Sequence, residues 1–142
     1  MKTILYGIYF ILALSNIVWA QNENSVQVEV LAKTSSSWNG DVLPEYERGQ
    51  PEVTILKVII PPKVKLPLHE HPEINAGVLL KGNLIVITED NDTLYLRAGD
   101  SIVEVVNTWH YGTNEGDEPA EIIVFYAGVQ GKPITINETE KD

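Results

Sequence analysis

Beyond residue 20, no stretch of this chain repeats its apolar residues at helical spacing. It runs instead as short segments rich in Val and Ile, with Gly, Pro, Asn or Asp between nearly every pair. That pattern narrows the fold more than any other feature, because many short strands at this spacing close as a β-sandwich or a barrel. Strands are expected at residues 53–60 (stopped by Pro61 and Pro62), 64–71, 76–81, 83–88, 93–97, 101–106, 109–114 and 121–127. Residues 26–32 alternate apolar and polar as an edge strand would. Residues 34–50 read as an irregular loop or loose hairpin, and the polar residues 137–142 as a frayed end. The expected class is all-β.

The first 20 residues stand apart from this pattern. Lys2 precedes an apolar run over residues 4–14, and Val18 and Ala20 occupy the −3 and −1 positions of a cleavage site. A membrane anchor is the rival reading, but the run is short for the ~30 Å of a bilayer core and no basic cluster follows it. We therefore expect a cleavable signal peptide at 1–20 and a single domain at 21–142. The protein would then be exported, periplasmic or extracellular, and free of the membrane after cleavage. There is no cysteine, so the domain must hold by burial alone. Its length suffices for that. Acidic residues outnumber basic ones 20 to 10, which argues against nucleic acid or anionic lipid as partner.

All three histidines fall into one ordered arrangement. His69 and His71 are two apart, and in an extended strand such residues share a face. Their imidazoles can converge on one divalent ion, while Glu70 between them points away. His110 supplies a third candidate ligand from another strand. Gly112, two residues on, leaves space beside it. The bland alternative is three ordinary surface or core histidines, and a lone His-x-His carries little weight.

At these residues the chain resembles the cupin superfamily. One cupin motif runs His-x-His, three or four residues, Glu, six residues, Gly, and it lies on His69, His71 and Gly82. The other runs Gly, a Pro-x-Gly turn, two residues, His, three residues, Asn, and it lies on Gly99, His110 and Asn114. The resemblance covers residues 53–128. It implies a double-stranded β-helix or jelly-roll barrel, a bound metal and, commonly, a homodimer formed by exchange of an N-terminal edge strand such as residues 26–31.

Two departures matter. The Glu position falls on Asn75, an uncharged candidate ligand, and Glu73 is expected in the turn after Pro72. Such a centre suits Fe, Zn, Ni or Cu better than Mn, and better than hard Mg or Ca. The turn reads Val105, Val106 and Asn107, and Asn tolerates the left-handed backbone nearly as glycine does.

Glu104 is the one candidate for catalysis or for support behind a ligand. Alternation from Ile102 points it inward, although an acid at a strand end is more often solvated. Trp109, Tyr111, Phe125 and Tyr126 are expected to pack, with Phe125 and Tyr126 on opposite faces. Two functions fit. One is a metal-dependent oxygenase or related enzyme acting on a small molecule. The other is a non-catalytic module that binds a small molecule or a metal. With only Arg48 and Arg97 available, and neither beside a motif, a neutral or apolar ligand is favoured.

Overall fold

The computed structural model describes residues 25–140. Residues 1–20, where a signal peptide is expected, lie outside them. Among the described residues, nine strands form two antiparallel sheets: β1 (Pro51–Ile60), β2 (His69–Glu70), β3 (Asn75–Lys81), β4 (Asn83–Thr88), β5 (Thr93–Arg97), β6 (Ser101–Val103), β7 (His110–Thr113), β8 (Ala120–Val129) and β9 (Ile136–Asn137). One sheet has the order β1-β8-β3-β6 and the other β5-β4-β7-β2-β9. This is the expected all-β jelly-roll barrel. One 3-10 turn, Glu138–Glu140, is the sole helical element among the described residues.

Alternation builds the core. Ala120, Ile122, Val124 and Tyr126 of β8 turn inward and meet Leu84 and Val86 of β4, with Leu79, Leu96 and Ile102 beside them. Gly82 makes the tight β3–β4 turn at φ +76, where a Cβ would stand 2.7 Å from the Pro119 carbonyl oxygen. Asn107 takes the left-handed backbone expected of it, φ 53, and its N–H donates to the His71 carbonyl at 2.9 Å. Asn114 is fully buried. Its amide N–H₂ reaches the carbonyls of Ile60, Pro61 and Glu118, and its oxygen accepts from the Gly116 N–H. The Asn of the second motif therefore fastens the end of β1 to the β7–β8 turn.

Four expectations change. Residues 26–32 form no strand. Val26 is 90% exposed, and the segment's tie to the barrel is the Ser101 hydroxyl donating to the Leu31 carbonyl at 2.8 Å. Alternation supplies a face, but a strand also needs a partner for its backbone. The strand expected at 64–71 shrinks to His69–Glu70 plus one bridge, Lys65 to Thr113. Pro67 interrupts it, having no N–H to give a ladder. The strand expected at 101–106 stops at Val103, ahead of the left-handed Asn107. Finally, residues 136–137 form β9 against β2, and the Glu138 N–H donates to the Leu68 carbonyl. The tail is thus paired where fraying was expected.

The outer face of the first sheet is apolar and open. Val53, Ile55 and Ile59 of β1 and Ile123 and Phe125 of β8 are exposed there, around the Lys57–Glu121 ion pair. No helix among the described residues is long and apolar enough to cross a membrane.

Candidate metal centre

His69 of β2 lies directly across from His110 of β7 in the sheet register. His71 follows two residues after His69 and returns to the same face. The ring centroids stand 4.9 Å (His69 to His71), 4.6 Å (His69 to His110) and 5.0 Å (His71 to His110) apart. One ligand nitrogen from each lies within 4.8 Å of the others. Glu70 is not part of this group.

Each ring is held by its other nitrogen. His69 Nδ1 donates to the Pro67 carbonyl at 2.7 Å, and His110 Nδ1 to the Thr108 carbonyl at 2.8 Å. Both rings fold back on the carbonyl two residues earlier. His71 Nδ1 donates across the fold to the Ile134 carbonyl at 2.9 Å, with the Thr135 hydroxyl at 3.2 Å. With the proton on Nδ1 in all three, every Nε2 presents a bare lone pair. Carbonyls fixing the tautomer in this way are the usual support of metal-ligating histidines.

Burial lowers the pKa of all three rings and takes His71 down to about 3, with the His110 charge adding to the effect. They stay neutral, as ligands must. The His110 Nε2 is buried and has no hydrogen-bond partner. Three acceptor nitrogens on rings clustered this closely, one of them orphaned, fit an electrophilic ion. They do not fit ordinary core histidines, whose ring nitrogens find donors.

Glu104 is buried against expectation. Its Oε2 stands 3.7 Å from His110 Nε2 and lacks a hydrogen-bond partner. The Trp38 indole N–H lies close by without closing a well-formed hydrogen bond. Burial raises the carboxyl to about 7, opposed by His69, Trp38 and the Val105 backbone. Residue 104 lies one beyond the end of β6 and keeps the inward phase of Ile102, pinned by its N–H to the Asn75 carbonyl and by its carbonyl to the Ser37 hydroxyl. An acid lies beside the imidazoles, supplied by 104.

Asn75 is fully buried in β3, opposite Tyr126 in register. Its Nδ2 makes a long 3.4 Å contact to the Glu73 carbonyl, and its Oδ1 has no partner. It is not among the residues lining the cavity at the histidines. Glu73 lies in the turn, as expected, but is buried, and it is not part of the histidine cluster.

The cavity measures about 190 Å³ and reaches from the histidines between the two sheets. Gly112 lines it, where a Cβ would sit 3.4 Å from Leu66 and Leu84 side-chain carbons. Tyr126 also lines it, edge-on to His71 at 5.3 Å, whereas Phe125 faces outward. The sequence reading gave Tyr126 no more than packing. Thr135 and the Ile134 carbonyl were not anticipated at all. Nothing in the sequence near position 134 signals a role set by a histidine 63 residues away.

A family model described as "Cupin domain" matches residues 56–126. The chain is 25% identical over 137 residues to the cupin-domain-containing oxidoreductase virC of Hypocrea virens. That alignment takes in 90% of this chain and 64% of the relative, so the chain spans less than two thirds of that protein's length. Among solved structures, an oxalate oxidase in complex with the substrate analogue glycolate is 26% identical with a TM-score of 0.52, over 61% of this chain and 46% of that one. The lyase DddQ of Ruegeria pomeroyi has a TM-score of 0.54 at 19% identity, over 63% of this chain and 45% of its own. A cupin-like protein of Thermotoga maritima has the same score and identity, over 62% and 69%. At that identity these two share the fold.

Proposed function

The chain belongs to the cupin domain family, and from that membership we propose that His69, His71 and His110 hold one divalent transition-metal ion in an enzyme acting on a small molecule. The observation that carries this reading is the set of three clustered imidazoles, each with its Nε2 lone pair freed by an Nδ1–H···O=C bond. The similar oxidoreductase and oxalate oxidase support an oxidoreductase in particular. An ion such as Fe(II) would supply dioxygen activation there, and Zn, Ni or Cu Lewis acidity.

The chain's own groups do the rest. The Pro67, Thr108 and Ile134 carbonyls fix the imidazole tautomers and ring directions. Glu104 offers a carboxyl where Asn75 has none, and its ionised form would favour holding a cation in a partly dry cavity. Its carboxyl, raised to about 7, is poised to take or return a proton near neutral pH at the cavity wall. The aliphatic walls offer water no hydrogen-bond partner. Asn75 favours the second reading, a module that binds metal or a small molecule without turnover. Its orphaned Oδ1 is a neutral donor where the family pattern has a carboxylate.

Metal analysis of the purified protein tests the first claim. About one equivalent of Fe, Zn, Ni or Cu is expected, falling below about a tenth in His110→Ala. Similar content in both proteins would remove the centre as proposed. Dioxygen uptake by the Fe(II)-loaded protein with candidate substrates then separates enzyme from binding module.

A further inference from the structure

The cavity beside the histidines is divided by chemistry. Val58, Leu66, Leu84, Val86, Ile122 and Val124 supply hydrocarbon from both sheets, and no Lys or Arg lines it. Its polar side chains are gathered at one end. Glu104 stands by His110, while Thr135 and Tyr126 both touch His71. A ligand in this space therefore meets polar partners at the imidazoles and nowhere else.

Resting on the metal-centre reading, we propose that the site takes a compact, largely hydrocarbon molecule with a single oxygen-bearing polar end. The polar end meets the imidazoles, and the body lies along the aliphatic walls. Size sets the scale: an apolar cavity of about 150 Å³ holds a benzene ring, so about 190 Å³ admits a body of one ring or a short chain. Polyols, sugar phosphates and dicarboxylates would press polar atoms against walls that offer no partner, and burial without a partner is costly. Small diacids would leave the hydrocarbon walls unused.

The test is a titration of the zinc-loaded protein with 1-propanol, 1-butanol, 1-pentanol and 1-hexanol, followed through methyl NMR signals of the lining Val, Leu and Ile residues. Each added methylene is expected to raise affinity about fourfold. 1,6-Hexanediol, whose second hydroxyl would be buried unpaired, is expected to bind about tenfold more weakly than 1-hexanol. Val58→Phe, at a partly exposed wall position, is expected to weaken 1-hexanol about tenfold with metal content unchanged. Val124→Phe replaces it should that variant fail to fold. A flat alcohol series, equal binding of the diol, or indifference to the wall variant would overturn the proposal. Metal analysis of the same samples keeps the two readings apart. Protein that takes up no zinc fails the metal-centre reading, and the alcohol series is then read on the metal-free protein, because the walls belong to the fold.

Discussion

Three imidazoles crowded within 5.0 Å of one another stay neutral because burial makes charge costly, outweighing the Nδ1–H···O=C bonds to backbone carbonyls, which favour the protonated form. Glu104 responds to the same burial with the opposite sign. Its pKa rises from 4.5 to about 7, so the unfolded chain ionises it above pH 4.5 while the fold keeps it protonated. Its contribution to stability is present below pH 4.5 and lost as pH rises through 7. His71, lowered from 6.5 to about 3, costs stability as pH falls from 6.5 towards 3. In chelator-treated protein, Glu104→Gln is therefore expected to gain on wild type by a margin that grows between pH 4.5 and 7, read from thermal melts. A margin independent of pH would mean that the carboxyl is not desolvated. Asn75→Glu restores the anionic residue of the family pattern and is expected to tighten metal retention against a competing chelator. Unchanged retention would mean that residue 75 points away from the ion.

At the scale of elements, the site depends on short pieces held by long-range bonds. β2 is only two residues long, and it is kept in register by β7 on one side and β9 on the other. Truncation after Thr135 removes β9 but keeps the Ile134 carbonyl. Such a protein is expected to fold yet release metal faster to a chelator, and equal release would show that β7 alone positions His69. Asn114 closes the β7–β8 turn with four hydrogen bonds, so Asn114→Ala is expected to cost about 2–4 kcal/mol in denaturant unfolding. By contrast, Ile55→Asp on the exposed face of β1 is expected to stay within about 0.5 kcal/mol of wild type at dilutions where the protein is a single chain, since 65% of Ile55 is then in water.

Across the whole molecule, the barrel buries its hydrocarbon between the sheets and leaves a second apolar surface outside, over β1 and β8. Contiguous exposed hydrocarbon of this kind marks interaction surfaces. The homodimer expected from the sequence was to form through residues 26–31; pairing over β1 and β8 is a different interface, put to the same test. Light scattering is then expected to give twice the chain mass, reduced to a single chain by Ile55→Asp combined with Phe125→Asp. A wild-type protein that stays monomeric at every concentration would end that expectation.

The sequence by itself determined the class and most of the strands, because alternation and turn residues are local and the barrel has to bury every alternating face. It also determined which histidines to follow, since the spacing of His69 and His71 puts them on one face of any extended segment. Even the left-handed Asn107 was legible from its residue type. What the tertiary structure decided lies between distant segments. It set His69 across from His110, fixed the tautomer of His71 through a carbonyl 63 residues on, and turned Glu104 inward beside the imidazoles. It also denied a strand to residues 26–32, whose alternation was sound but whose backbone has no ladder partner among the described residues. Pattern fixes which side of a strand a residue takes, but packing fixes what waits for it there.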